Sequence, residues 1–356
     1  MGFFLCGHIM LDCKYPDVGL TVHPSGTLNV CCNMQNHNSE GTHISEIDDL
    51  EEYFYSTKMN KWRENFSEGW EKFVGCQNCK GPNKVYPSSL KFDRAYGLQF
   101  LEMSTSNVCN QQCVMCSSSF SSKWNKIEEL FNRSPSKTYS FSDKDIEKVI
   151  KVLPRLKKLM LKGGEPFADQ RNLIILEALS IVNPDCKLVI VTNGQRVSKG
   201  FINVLKKLTN VNVRVSIDGL GKRYEWIRGG DFKELEDTIN LLAYTLLKPL
   251  ETCPTASIYN WFYMDDLKSY IEDSICLNLD SRWPTQIVTY PKWCAPQLLL
   301  KQEDLDISSI KIKSYYSESA VEDFKKYTKV MNNVRGFDVD TIGSAACVGG
   351  ACEITF

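Results

Sequence analysis

No histidine occurs after residue 43: His8, His23, His37 and His43 are the only four in 356 residues. The rest of the chain has no imidazole for general acid–base or nucleophilic work near neutral pH. Chemistry there falls to a bound cofactor, with Lys, Tyr or carboxylates left to move protons. Charge of one sign is missing too. The net charge is −1, so no field points to nucleic acid or anionic lipid, and neither is expected as a partner. No apolar run approaches the ~18 residues of a membrane span, and no membrane partner is expected. The opening Met1-Gly2-Phe3-Phe4-Leu5-Cys6 lacks the basic flank of a signal peptide and the Ser or Thr of a myristoylation motif. These absences predict a cytoplasmic protein. At 43% hydrophobic and 24% charged residues, the chain suits one large soluble domain plus a smaller one.

Cysteine, by contrast, is plentiful, with 15 residues. A chain of this length without a signal peptide is not a small disulfide-stapled scaffold, so reduced, metal-bound thiols fit better. Three of them stand in Cys109-Asn110-Gln111-Gln112-Cys113-Val114-Met115-Cys116 at C-x3-C-x2-C spacing. Three thiolates can hold a [4Fe–4S] cube and leave one iron without a protein ligand, open to a small molecule. The bland alternative is structural zinc, which usually takes four ligands at C-x2-C spacing.

From about residue 96 short apolar strands alternate with helical patterns, the mark of repeated βα units. Leu98–Met103, Lys158–Lys162, Lys187–Val191 and Val211–Ile217 read as the first four strands. Ala256–Phe262 and Gln286–Tyr290 are the expected fifth and sixth. Ser142–Asp145 predicts a capping box for a helix ended by Pro154; helices are also expected over Leu173–Val182, around Phe201–Leu208, and from Asp231 to about Leu247. Six such units joined right-handedly give an α/β fold, a partial (β/α)6 TIM-like barrel, with ligands at the C-terminal strand ends. The cysteine loop, Gly163–Pro166, Thr192–Gly194 and Asp218–Gly219 all fall at that rim.

These motifs resemble those of the radical S-adenosylmethionine (SAM) enzymes over about residues 96–300. The resemblance implies that Cys109, Cys113 and Cys116 bind a [4Fe–4S] cluster whose free iron chelates SAM, and that an electron from it yields a 5′-deoxyadenosyl radical. The family usually has an aromatic residue near the adenine where Met115 stands. Gly163-Gly164-Glu165-Pro166 looks like its GGEP motif, whose backbone and Glu contact the SAM amino group. Thr192 and Asn193, at the third strand end, and Ser216 and Asp218, at the fourth, resemble further SAM contacts. Each could instead be only a strand-end turn. Arg228 could bind a carboxylate or form a structural ion pair. Asn260 falls where relatives often carry Asn.

Cys13, Gly26 and Cys31 make a C-x12-G-x4-C pattern, and Cys76-Gln77-Asn78-Cys79 is a C-x2-C. Together they resemble the twitch or SPASM auxiliary-cluster modules, here placed before the barrel instead of after it. The resemblance implies a second [4Fe–4S] cluster on Cys13, Cys31, Cys76 and Cys79. Structural zinc remains an alternative, as do Cys32 for Cys31 and Cys6 for Cys13. The expected organisation is an auxiliary module at 1–95, the barrel at 96–300, a helical C-terminal extension at 301–342, and a Cys/Gly-rich tail at 343–356 that is either flexible or a lid carrying Cys347 and Cys352. Cys294, after the sixth expected strand, could face the rim and donate a hydrogen atom. The implied activity is an oxidoreductase-like radical reaction on a ribosomally made peptide: crosslink, epimerisation or oxidation. The alternative substrate is a small metabolite such as a sugar, nucleotide or cofactor precursor; a metal-binding module without catalysis is a third reading. A one-electron donor such as flavodoxin or ferredoxin is the implied partner.

Overall fold

The computed structural model describes residues 15–31, 41–68, 96–252, 254–280, 287–288, 291–305 and 314–336, with two-residue strands at 347–348 and 351–352. Six parallel strands follow one another in sheet order: β4 (Phe100–Met103), β5 (Lys158–Leu161), β6 (Lys187–Thr192), β7 (Val211–Val215), β8 (Leu250–Thr252) and β9 (Leu277–Leu279). The first four match the apolar stretches expected from sequence. Helices intervene between consecutive strands, among them α1 (Asp143–Val152), α2 (Gln170–Val182), α3 (Lys199–Leu205), α4 (Gly221–Arg228), α5 (Phe232–Leu246) and α6 (Met264–Glu272). The result is a mixed α/β, partial TIM-like barrel.

Helix starts follow the predicted chemistry. Ser142 and Asp145 form a reciprocal capping box on α1, and Asp231 caps α5 through Glu234 N.

The fifth and sixth strands lie elsewhere than expected. Ala256–Phe262 is not a strand, because the Asn260 side chain takes its local backbone: Oδ1 accepts from Ser257 N at 2.7 Å and Nδ2 donates to Thr255 O at 3.0 Å. Ala256, Ile258, Tyr259 and Trp261 are buried all the same, as loop instead of strand. A single parallel bridge, Ala256 to Ile287, is what remains of the expected pairing, and 286, 289 and 290 lie outside the described residues. The actual β8 and β9 have three residues each, too few to show a period.

On the other side of β4 the sheet continues into the N-terminal segment. β1 (Gly19–Val22) pairs parallel with β4, β2 (Thr27–Asn29) antiparallel with β1, and β3 (Thr42–His43) antiparallel with β2. Gly26 makes the β1–β2 turn at φ +81, and the His43 ring covers it so closely that a Cβ would meet Nε2 at 2.1 Å. That gives the glycine of the C-x12-G-x4-C pattern a backbone reason. One face of the sheet, with Leu20, Val22, Leu28, Leu101, Met103, Leu159 and Leu161, joins the core shared with the helices. Opposite-face positions alternate with these along each strand.

C-terminal to the barrel, α7 (Glu318–Arg335) buries Ala320, Phe324, Tyr327, Thr328, Met331 and Asn332, a stripe at helical spacing. Cys347–Val348 pairs antiparallel with Ala351–Cys352, while the rest of 337–356 is outside the described residues.

Candidate active site

The cysteine loop leaves β4 through Thr105 and Ser106, whose hydroxyls donate to Asp169 Oδ2 at 2.9 and 2.6 Å. Cys109, Cys113 and Cys116 are each half-buried. Three consecutive carbonyls of the loop are capped by side chains from outside it. Arg335 Nη2 donates to Gln112 O at 2.5 Å, Trp124 Nε1 to Cys113 O at 3.0 Å, and Tyr327 OH to Val114 O at 2.7 Å. Val114 N donates to Ile227 O at 2.8 Å. The loop is therefore held from α4, α7 and the Trp124 turn at once.

Gly163 and Gly164 both take positive φ, +72 and +56. A Cβ on Gly164 would sit 2.4 Å from Val108 O and 3.0 Å from Asn107 C. The close approach that requires this glycine is to the backbone leading into the cysteine loop, not to open space. Gly164 N donates to Phe120 O at 3.0 Å and Glu165 N to Val108 O at 2.7 Å, so the turn is docked on the loop. Glu165 is buried, and its carboxylate accepts from Thr192 Oγ1 at 2.7 Å, Phe167 N at 3.0 Å and Asn193 N at 2.7 Å. Burial still raises its pKa. Three of about four lone-pair sites are used, leaving room for one further donor. Pro166 starts the short helical turn that follows.

Asn193 extends the contact to the thiols. Its Nδ2 donates to Asn110 Oδ1 at 2.7 Å and lies 3.8 Å from Cys109 Sγ. Ser216 N donates to Thr192 O at 2.9 Å, which ties the fourth strand end to the third. Asp218 pairs with Arg228 through Oδ2 and accepts from Thr255 N through Oδ1 at 2.8 Å. Asn260 Nδ2 donates to Asp218 O at 2.8 Å, from the loop after β8 instead of from a strand. Burial would lower the Arg228 pKa, but Cys113 and Asp218 outweigh it and hold it up. Arg228 Nε is buried without a hydrogen-bond partner. Burial and then the neighbouring Cys113 push the Cys109 thiol up to about 11, and burial and Cys113 push Cys116 further in the same direction.

Three thiols crowded beside the buried Arg228 guanidinium suit ligation of a metal group as thiolates, whose negative charge Arg228 balances. No three His, Cys, Asp or Glu side chains among the described residues close on a single ion. A four-iron cube is larger than one ion and spreads its ligands further apart. Met115 is half-buried against the core beside this set.

Other expected positions fall elsewhere. Cys294 is fully buried against the cysteine loop: its thiol donates to Val114 O at 3.7 Å, and burial raises its pKa well above the usual range. Cys31 is half-buried just beyond β2. Cys13, Cys76 and Cys79 lie outside the described residues, as do Cys6 and Cys32. Sequence reasoning missed Trp124, Tyr327 and Arg335, which act on the loop from 11 to 223 residues away. It also missed Tyr224, whose hydroxyl accepts from Gln111 Nε2 at 3.0 Å and donates to Asn193 O at 3.3 Å. No local pattern marks these residues.

Residues 103–244 match the Radical SAM superfamily. A GTP 3′,8-cyclase of Actinobacillus pleuropneumoniae serotype 7 (strain AP76) is 26% identical over 145 residues, 40% of this chain and 39% of that protein. The radical SAM cyclopropyl synthase TigE of Paramaledivibacter caminithermalis is 27% identical over 155 residues, 41% of this chain and 32% of that protein. The chain thus matches about two fifths or less of the length of these curated relatives. Among solved structures, anSMEcpe with bound AdoMet aligns at TM-score 0.40 and 17% identity, covering 72% of this chain and 68% of that one. Streptococcus suis SuiB bound to precursor peptide SuiA aligns at TM-score 0.37 and 16% identity, covering 79% and 61%.

Proposed function

Residues 103–244 match the Radical SAM superfamily, and from that premise we propose that the chain is a radical SAM enzyme acting on a peptide. When bound, the cluster and SAM together supply a 5′-deoxyadenosyl radical that removes a hydrogen atom from an unactivated C–H bond. Cys109, Cys113 and Cys116 hold the cluster. Glu165 and the Gly163–Gly164 backbone receive the SAM ammonium, using the acceptor capacity that the internal bonds leave. Arg228 turns its unpartnered Nε to the SAM carboxylate. Thr192, Asn193, Ser216 and Asp218 line the ribose end, and Met115 offers an apolar face to the adenine.

The peptide class rests on one observation: among the described residues, four cations around this rim are already engaged by carboxylates. Lys162 pairs with Glu102, Arg228 with Asp218, Arg171 with Asp169 and Arg196 with Glu234. A nucleoside triphosphate needs a cluster of cations to spare, whereas peptide amides need neutral donors and acceptors.

The N-terminal residues 1–95 form the auxiliary module, with Cys13, Cys31, Cys76 and Cys79 on a second [4Fe–4S] cluster. Cys31 lies two residues past the end of β2, whose Asn29 pairs with Thr21 of β1. Four thiolates would saturate this cluster, which suits electron transfer to or from a donor such as flavodoxin or ferredoxin better than substrate anchoring.

The test incubates reduced, reconstituted enzyme with SAM and either a pool of candidate peptides or GTP. Mass-shifted peptide with substrate deuterium in 5′-deoxyadenosine is expected. Turnover of GTP or another small metabolite, with every peptide unchanged, moves the substrate to the alternative class.

A further inference from the structure

Gln111 sits inside the cysteine loop and addresses Cys109 and Cys113 at once. Its backbone N donates to Cys109 Sγ at 3.5 Å, and its side-chain Oε1 lies 3.7 Å from Cys113 Sγ. The residue is 1% exposed, and Ser121 Oγ donates to its carbonyl at 2.6 Å. The other end of the carboxamide, Nε2, meets Tyr224 OH at 3.0 Å. Behind Tyr224 stands Gln195, whose Nε2 is 3.4 Å from the same hydroxyl. Gln195 is fixed in direction: its Nε2 donates to Asp231 O at 2.7 Å and its Oε1 accepts from Asp231 N at 3.0 Å. Gly230 makes room for both carboxamides, since a Cβ there would meet Gln111 Nε2 at 2.2 Å and Gln195 Cδ at 2.9 Å.

Chemistry sets the direction of this chain. A cysteine sulfur bound to iron carries no hydrogen, so Gln111 can act on it only as a donor. A half-turn of the carboxamide exchanges Nε2 and Oε1, because the two ends have nearly the same shape. Nε2 then faces Cys113 Sγ and Oε1 faces Tyr224 OH. Burial raises the Tyr224 pKa, so the hydroxyl keeps its proton. That proton leaves Asn193 O, at 3.3 Å, for the amide end at 3.0 Å. Gln195, pinned as a donor, stays behind the hydroxyl. The result is one directed chain from Gln195 through Tyr224 and Gln111 to the Cys113 sulfur, in which each bond polarises the next. A hydrogen bond to an anionic acceptor is also the stronger kind. The reverse order would aim an amide oxygen at an anionic sulfur.

We propose that the Gln111 amide donates to the Cys113 sulfur and makes the cluster easier to reduce, and that Tyr224 is the positioning residue that holds the amide in that direction. Hydrogen bonds to the sulfurs help set the potential of such a cluster. One that offsets the negative charge gained on reduction raises it. One electron passes from the donor protein to the cluster, and the chain of hydrogen bonds gains and loses no proton. The proposal deepens the reading above and rests on its assignment of Cys109, Cys113 and Cys116 to the cluster. It is independent of the substrate class.

The test is an equilibrium redox titration of full-length reconstituted protein, read by the electron paramagnetic resonance signal that changes when SAM is added. Gln111→Met keeps the length without a donor, Gln111→Glu keeps the shape with acceptors alone, and Tyr224→Phe removes only the hydroxyl. At a potential where half of the wild-type cluster is reduced, both Gln111 variants should show a several-fold lower ratio of reduced to oxidised cluster at equal iron content. Tyr224→Phe should shift the ratio the same way by less, and should add nothing to Gln111→Met, because it acts through that residue. Wild-type ratios in the iron-loaded Gln111 variants overturn the proposal. So does a Tyr224→Phe shift that adds in full to that of Gln111→Met. If neither Gln111 variant holds iron, Tyr224→Phe decides: a lowered ratio supports the proposal and a wild-type ratio overturns it. A wild-type protein without any SAM-responsive signal sinks the cluster assignment itself, whereas a normal wild-type signal with unshifted variants sinks this proposal alone.

Discussion

Glu165 serves two ends at once. Its carboxylate ties the Gly163–Pro166 turn to Thr192 and Asn193 through three hydrogen bonds, and it is the group assigned to the SAM ammonium. Glu165→Gln replaces an acceptor oxygen by a donor NH2 facing a donor, so both roles suffer. Losing a charge-assisted bond should weaken SAM binding by about 1.5–3 kcal/mol, and the mismatched bond should cost about 1–3 kcal/mol of stability. Equilibrium dialysis of SAM against protein with full iron content reads the first effect. An unchanged Kd there removes Glu165 from the SAM contacts. His23 gives a separate residue-scale expectation. Its folded pKa, about 4, lies below the unfolded 6.5, so the neutral ring's contribution is complete above pH 6.5. It is lost as pH falls through 4, a change on the order of 3 kcal/mol. Urea midpoints between pH 7 and 4 should fall in wild type and fall less in His23→Leu; parallel slopes would show that His23 is not buried neutral. The motif glycines and Glu165 were legible because a short motif needs only neighbours. That Gly164 makes room for the Val108 carbonyl was not, since the contact crosses 56 residues of chain.

Among the elements, α7 holds the cysteine loop from more than 200 residues away in sequence. Tyr327 stacks with Phe131 and Trp293 at ring distances of 5.1 and 4.8 Å and still reaches Val114 O. Arg335 bonds both Gln112 O and Trp226 O, and Trp226 Nε1 returns a bond to Asn332 at 3.0 Å. Tyr327→Phe keeps the stacking and removes only the hydroxyl, leaving the buried Val114 carbonyl with just the weak Cys294 thiol as donor, at a cost of about 1–3 kcal/mol. Such a variant should bind iron normally but lose it to a chelator several-fold faster, and Arg335→Met should do the same. The electron paramagnetic resonance signal of the reduced protein should also change its response to SAM. Wild-type chelation rates and spectra in both variants would reduce α7 to packing. Local signals explain which elements were readable. The strands β4 to β7 are short apolar runs bounded by turn residues, and Ser142 with Asp145 announces α1. With three residues each, β8 and β9 show no period, and the buried Ala256–Trp261 loop mimics a strand in composition. The stripe on α7 is visible in sequence, yet nothing local tells that it faces the cysteine loop.

At the scale of the whole molecule, Cys31 and the cysteine loop attach to different strands of one sheet. Cys109, Cys113 and Cys116 follow the C-terminal end of β4, whereas Cys31 follows β2, two strands away. That arrangement could not be read from sequence, because spacing gives no hint that β1 runs parallel to β4. It has a consequence for metal content. Sites more than about 7–10 Å apart without shared partners respond to mutation additively, so each cluster should be removable without the other. Anaerobic wild-type protein should carry about eight irons, the content of two cubes. Changing Cys109, Cys113 and Cys116 together to Ala should remove half of them and all SAM cleavage. Changing Cys76 and Cys79 to Ala should remove the other half while the SAM-responsive spectrum persists. Full iron in the triple variant would refute the first ligand set, and zinc retained at Cys13, Cys31, Cys76 and Cys79 under iron-replete growth would refute the second. Loss of all iron from either variant would instead mean that the two sites fold as one unit, with each cluster holding the other's site in place.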